Sequence, residues 1–198
     1  MKVIGITGGT GAGKTTALGA LKAMNSLIID ADAVYHDLTI HNEGLRRDLE
    51  TRFGSVYGSD GTLDRKKLGE IVFQNENALL DLNKITHKYV GEEVDRLLAI
   101  AKAEGKEVAA IDAIALLESG LDAKCDCTVA VTAPEELRVK RIMVREGISE
   151  EYARMRIAAQ KDESYFRAHC DYVLHNMEED TPEIFSARAL ELFRKIVD

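Results

Sequence analysis

Lys2-Val-Ile-Gly-Ile-Thr-Gly-Gly-Thr-Gly-Ala-Gly-Lys-Thr-Thr16 is the stretch whose reading decides the fold. Its first six residues form a short apolar run that reads as a buried strand. Beyond the glycines, Ala17, Leu18, Leu21 and Met24 recur at helical spacing. Between the two, Gly8 to Thr15 fits G-x-x-x-x-G-K-[ST], and strand, loop and helix follow in the order that this phosphate-binding motif requires. The glycines let successive backbone N–H groups converge on one anion, while Lys14 carries a mobile charge to the outer phosphates. A helix opening at the lysine adds its positive N-terminal end. Gly11, Ala12, Gly13, Lys14, Thr15 and Thr16 are therefore the expected ATP contacts, with the Thr15 hydroxyl as a ligand for Mg²⁺.

Working outward, Ser26–Asp30, Val108–Asp112, Thr128–Thr132 and Asp171–His175 read as four further strands. Helical patterns separate them, so the expectation is an α/β fold with a five-stranded parallel sheet covered on both faces. The polar region from Val34 to Glu104 is mainly helical, with Leu79, Leu82, Ile85 and Tyr89 on one helix face and Val90, Val94, Leu97, Leu98 and Ala101 continuing it. A chain of 198 residues suits one such domain with insertions, and 45% hydrophobic content argues against disorder. The formal charge of −8 speaks against general nucleic-acid binding, which needs a basic surface. No apolar run reaches the roughly 20 residues of a membrane span, and the N-terminal run reads as a core strand rather than a signal peptide. Three cysteines are too few for a disulfide scaffold. These features lead us to expect a cytoplasmic protein, without nucleic-acid or membrane partners, that is a monomer or a weak homo-oligomer. Cys125-x-Cys127 lacks the usual zinc spacing and reads as the entry to a buried strand.

Chemistry outside the loop gathers in a few places. Asp30-Ala-Asp32 stands at the C-terminal end of the second strand, the side on which open α/β sheets bind ligands. One carboxylate there can accept a proton from an attacking hydroxyl, and the other can cap the next helix. Thr132-Ala-Pro-Glu135 reads as a capping box that opens a helix ended by Gly147. On that helix Arg138, Arg141 and Arg145 share one face, with Leu137, Val139, Met143 and Val144 largely opposite. Guanidiniums beyond a phosphate loop suit the charge that develops in phosphoryl transfer. Asp112 and Glu118 both lie near the end of the third strand, where a carboxylate can hold the water shell of Mg²⁺, and the residues alone do not choose between them. His87, on a helix, fits either a structural or a substrate-facing role.

In order and spacing these segments resemble the dephospho-CoA kinase family nearly end to end. The resemblance rests on Ile4–Thr16, Ile29-Asp-Ala-Asp32, Phe53-Gly54, Asp60–Arg65, Val72-Phe73, Thr86-His87, Leu116–Gly120, Arg141–Arg145, Arg156–Gln160 and Asp171…Asn176. It implies a three-layer P-loop kinase core over about 1–35, 105–135 and 170–198. A helical substrate-binding subdomain over about 36–104 and a helical lid over about 136–169 complete the single domain. It further implies ATP-dependent phosphorylation of the ribose 3′-hydroxyl of dephospho-CoA, with ATP as co-substrate and Mg²⁺ as cofactor. Asp32 would be the base, with Lys14, Arg141 and Arg145 as the other catalytic groups. Asp32, Arg65, His87 and Glu118 would contact the substrate, and Asp112 would be a water-mediated partner of the metal. Three departures stand out: Ile114-Ala-Leu-Leu-Glu118 lacks the family's proline and phenylalanine, Arg138 replaces a glutamine, and His87 is followed by Lys88 rather than proline.

Two other function classes compete. A regulatory GTPase would need Asn-Lys-x-Asp, but Asn83-Lys-Ile-Thr86 ends in threonine and Asp-x-x-Gly is absent. Another small-metabolite or nucleotide kinase on the same core is the closer rival, since a fold does not fix a substrate.

Overall fold

The computed structural model describes residues 1–198. Its backbone divides into two compact units, Met1–Ile29 with Ala101–Asp198, and Asp30–Ile100.

The first unit is built on a five-stranded sheet. Its strands are β1 (Lys2–Thr7), β2 (Leu27–Asp30), β3 (Val108–Asp112), β4 (Cys127–Thr132) and β5 (Tyr172–His175), in the spatial order β2-β3-β1-β4-β5. The strand β1 pairs in parallel with β3 and β4, and β4 in parallel with β5. All six residues of β4 are buried, so a near-continuous apolar run replaces alternation, as burial on both faces demands. Cys127 is the first residue of that strand, the position its spacing suggested. Helix α1 (Lys14–Lys22) packs against the closing helix α9 (Pro182–Val197). Ala17 and Leu21 from α1, and Phe185, Ala189 and Phe193 from α9, meet Ile4, Ile6, Val129 and Val131 of the sheet in one core.

Three shorter helices, α6 (Glu135–Glu146), α7 (Glu150–Ala158) and α8 (Glu163–His169), lie between β4 and β5 in sequence. The capping box expected at Thr132 does not form. Thr132 is the last residue of β4, and its hydroxyl is within 2.8 Å of His175 Nδ1 on β5, so it is not free to cap. Pro134 stands at the N-cap without a side-chain bond, and the helix opens at Glu135. The single apolar face expected for α6 is also corrected. Val139 and Ile142 are buried in a small cluster with Ala153 and Ile157 of α7, whereas Leu137 packs against the main core. The helix thus divides its apolar residues between two partners, and Val144, on the same side as Leu137 but two turns on, is 88% exposed. Gly147 ends the helix in the left-handed region at φ 66°, where its N–H bonds to the Met143 carbonyl.

The second unit contains α2 (Ala31–His41), α3 (Glu43–Phe53), α4 (Arg65–Val72) and most of α5 (Glu76–Ala103), with one antiparallel bridge between Tyr57 and Leu63. Asp30, Asn42 and Asp64 each accept a backbone N–H to cap the first three of these helices. Leu45, Leu49, Val56 and Val94 are fully buried. Polar ties cross between helices: Tyr89 Oη donates to Asp48 at 2.7 Å, and Arg52 donates to Asp81 at 2.6 Å. Burial and the Asp48 carboxylate push the Tyr89 phenol up to about 12. No helix is long and apolar enough to cross a membrane.

Candidate active site

The loop between β1 and α1 is shaped by contacts that leave no room for side chains. At Gly8 an added Cβ would stand 2.1 Å from the Val131 carbonyl oxygen, with φ +131°. At Gly13, φ is +106° and a Cβ would meet Asn176 Nδ2 at 2.3 Å. Both conditions demand glycine. Gly13 is the N-cap of α1 but offers no side-chain cap, so the first amides of the helix lack the usual intramolecular acceptor. The Gly13 carbonyl accepts from Thr16 and Ala17, while no backbone carbonyl accepts from the N–H groups of Gly11, Gly13, Lys14 or Thr15. A row of unengaged donors at a helix N-terminus is an anion cradle.

Lys14 opens the helix with its Nζ 3.3 Å from Asp112 Oδ1, both side chains largely buried at 15% and 18% exposure. Asp112 is the last residue of β3, the strand beside β1, so the sheet itself brings the carboxylate to the loop. Thr15 is exposed in the first turn of α1. After Asp112, Ala113 N–H donates to Ile6 and the Thr7 hydroxyl donates to the Ile114 carbonyl, which fastens the segment that lacks the family's proline. Glu118 is exposed, and its charge raises the pKa of Tyr165 and Cys170 behind the larger effect of burial.

Two arginines of α6 reach the loop. Arg141 donates to the Gly11 carbonyl at 3.2 Å and to Asn176 Oδ1 at 3.3 Å. Arg138 donates through Nε to the Thr10 carbonyl at 2.9 Å. Burial pulls the pKa of each guanidinium down, with nearby Glu135 and Asp180 partly opposing it, yet an arginine stays charged in proteins. Arg145, expected on the same face, instead pairs with Glu146 at 2.6 Å. Of the basic residues that follow, Arg154 bonds Glu135, Glu136 and Glu150, and Arg156 pairs with Glu146. Asn176, only 3% exposed, donates to the Ala12 carbonyl at 2.9 Å. Gln160 holds Thr10 by its N–H and its hydroxyl. Neither Asn176 nor Gln160 was assigned a role from sequence. Both stood within resembling segments, and that was the one available signal. A recess of about 170 Å³ opens beside the loop, lined by Gly13, Thr16, Arg141, Asn176, Asp180, Pro182 and Phe185.

In the second unit the two carboxylates of Asp30-Ala-Asp32 separate in role. Asp30 caps α2 by accepting from the Ala33 N–H at 2.9 Å. Asp32 lies in the first turn of that helix, exposed and engaged in no hydrogen bond or ion pair. Arg65, at the start of α4, lies 3.0 Å from His36 Nδ1. His87 is half-buried on α5, and burial lowers its pKa.

A parallel sheet in this strand order, with a glycine-built anion cradle, an invading lysine and two half-buried guanidiniums, is the equipment of a P-loop kinase. The comparisons with known proteins carry the assignment further. A dephospho-CoA kinase from Thermobifida fusca is 36% identical over 197 residues, covering 99% of this chain and 96% of its own. A crystal structure of a Thermus thermophilus protein superimposes with a TM-score of 0.82 at 28% identity, covering 100% and 98% of the two chains. Dephospho-CoA kinase from Campylobacter jejuni gives a TM-score of 0.71 at 25% identity and the same coverage. The family model for dephospho-CoA kinase matches residues 2–181, and with the loop and its sheet so arranged the chain belongs to that family of kinases.

Proposed function

We propose that this enzyme transfers the γ-phosphoryl group of ATP to the ribose 3′-hydroxyl of dephospho-CoA, giving coenzyme A and ADP. The observation that carries the reading is the Gly8–Thr15 loop, whose helix-opening amides are unengaged and whose lysine stands at the end of β3. The unengaged amides of Gly11, Gly13, Lys14 and Thr15 hold the ATP phosphates, Ala12 and Thr16 line the same site, and Lys14 turns from Asp112 toward the outer phosphates. Arg141, already at the rim of the loop, adds positive charge there, and Arg145, one turn further on, joins it by releasing Glu146. The recess beside Gly13 and Pro182 takes the nucleoside part of ATP.

Hard oxygen donors of the kind Mg²⁺ selects are present: the exposed Thr15 hydroxyl, and the Asp112 carboxylate beside Lys14. Thr15 would hold the ion, with Asp112 reaching it through water, and the bound metal neutralises charge between the outer phosphates. Such an ion keeps several waters and takes its other ligands from the nucleotide, so a dedicated protein cage is not required.

Asp32 is the base. Its neighbour Asp30 is committed to the helix cap, which leaves Asp32 with an exposed carboxylate and no internal partner. It receives the proton of the 3′-hydroxyl as that oxygen bonds to the γ-phosphorus, and the bond from the γ-phosphorus to the bridging oxygen breaks to release ADP. Arg65, His87 and Glu118 contact the acceptor, for which Arg65 and His87 offer donors to the pyrophosphate of dephospho-CoA. ADP release measured with dephospho-CoA, adenosine, nucleoside monophosphates and gluconate tests the acceptor, and phosphorus NMR of the product locates the new ester. Comparable efficiency on adenosine, or a phosphate at another position, would leave a P-loop kinase with a different substrate.

A further inference from the structure

Thr10 is the third residue of the phosphate loop, and each of its polar atoms is taken by a side chain from far along the chain. Its N–H donates to Gln160 Oε1 at 3.0 Å. Its hydroxyl accepts from Gln160 Nε2 at 2.7 Å. Its carbonyl accepts from Arg138 Nε at 2.9 Å. The ring is closed by Arg138 Nη2, which donates to Gln160 Oε1 at 2.7 Å. The Thr10 amide therefore does not belong to the anion cradle. Thr10 anchors the loop to the first turn of α6 and to the residue that follows the C-cap of α7.

Gly9 adds an independent observation. Its φ lies outside the left-handed region, so no backbone requirement calls for glycine there. A Cβ at that position would stand 2.3 Å from Arg138 Nη2, 2.7 Å from Arg138 Cζ and 2.9 Å from Gln160 Oε1. Gly11 differs, since its φ of +81° already calls for glycine, and a Cβ there would also lie 2.9 Å from the Arg138 carbonyl. The loop is trimmed at Gly9 to let Arg138 and Gln160 approach.

We propose that Arg138 and Gln160 are positioning residues that fix the phosphate loop through Thr10 and act on nucleotide binding without touching the acceptor. The inference rests on the kinase reading of the loop. A loop anchored before the ligand arrives loses less freedom on binding, and each amide downstream of Thr10 keeps its aim. Arg138 is suited to the task because its planar fork bonds two acceptors, Thr10 and Gln160, at once, which a lysine cannot reproduce.

The test uses the full chain, with ATP affinity measured by titration calorimetry in Mg²⁺ and steady-state rates measured with dephospho-CoA. Arg138→Met and Gln160→Leu should each weaken ATP binding by about tenfold or more, the range for hydrogen bonds that involve a charged or buried partner. KM for dephospho-CoA should stay within about twofold, because the acceptor is not touched. Arg138→Lys should recover part of the affinity. Thr10→Val, which removes only the hydroxyl, should weaken ATP in the parent and add little to Gln160→Leu, because both changes break the same bond. Circular dichroism confirms that each variant is folded, and the near-isosteric Thr10→Val keeps the test available if the larger changes do not fold. The proposal is overturned by unchanged ATP affinity in the folded variants, by additive effects of Thr10→Val and Gln160→Leu, or by a loss confined to kcat. The last result would place Arg138 on the transferred phosphate. Loss of the acceptor assignment would show as a parent enzyme that binds ATP and leaves dephospho-CoA unphosphorylated, and the affinity comparison would still stand.

Discussion

Replacing Asn176 by leucine keeps the side-chain size and removes both of its hydrogen bonds, so it isolates what this residue does for the loop. In the parent, Nδ2 donates to the carbonyl of Ala12 at 2.9 Å, and Oδ1 accepts from Arg141 at 3.3 Å. Asn176 and Ala12 are 3% and 1% exposed, so the orphaned carbonyl cannot turn to water. Leaving a buried acceptor unpaired costs about 1–3 kcal/mol, and the longer, part-exposed bond to Arg141 adds about 1 kcal/mol, for roughly 2–4 kcal/mol in all. For a chain of this size that lowers Tm by roughly 5–15 °C. Scanning calorimetry without nucleotide measures the shift, and titration with ATP should show weaker binding, because Ala12 precedes the helix-opening amides. Asn176→Asp separates the two bonds: it keeps an acceptor for Arg141 but sets an oxygen against the Ala12 carbonyl, so it should be destabilised as well. A leucine variant that melts within about 2 °C of the parent and binds ATP equally well would refute the reasoning, because it would mean the loop needs no anchor at Ala12.

Lys14→Ala should lower kcat/KM by about 10²-fold or more, since it removes the flexible cation of the loop, and near-normal turnover in a folded variant would remove the phosphate-loop assignment. Asp32→Asn keeps the size but cannot take the hydroxyl proton, so kcat should fall by about 10²–10⁴-fold while calorimetric ATP affinity holds; the reverse pattern would turn attention to Asp30. His87 gives a pH signature. Burial lowers its folded pKa below the ordinary 6.5, so as pH drops through 6.5 the unfolded chain takes up the proton first. Stability should decline from there down to the lowered folded value and be unaffected above, and urea unfolding of His87→Leu should show a flatter dependence over that window.

The sheet was legible because β1, β3, β4 and β5 are short apolar runs that need burial on both faces, and all five strands begin within one residue of the runs read from sequence. The loop was legible because its glycines and lysine are contiguous. What was hidden is what holds the loop. Thr10 and Gln160 are 150 positions apart, and Ala12 and Asn176 are 164 apart. No periodicity links such pairs, and a glutamine or asparagine near a strand end has many uses. The α6 arginines were found by helical spacing, yet spacing could not say that Arg145 would turn to Glu146. The capping box that was expected and does not form has the same origin: Thr132 fits the pattern locally, but the strand beside it supplies His175 as a partner.

Charge placement explains how a chain of net −8 can draw in a polyanion. Most guanidiniums between β4 and β5 are bonded to carboxylates: Arg145 and Arg156 to Glu146, Arg154 to three glutamates, and Arg167 to Glu163. Their positive charge is offset within a few ångströms, though Arg145 and Arg156 share one carboxylate. Arg138 and Arg141 are bonded differently. Their acceptors are the carbonyls of Thr10 and Gly11 and the amide oxygens of Gln160 and Asn176, all neutral. The geometry of each guanidinium is fixed without a bonded carboxylate, Glu135 and Asp180 offset their charge only through space, and partial burial limits the screening by water. Lys14 is balanced by Asp112, so the surplus at the loop comes chiefly from these two arginines. An anion arriving there meets unengaged amides, a helix N-terminus and two guanidiniums that need not first give up a carboxylate.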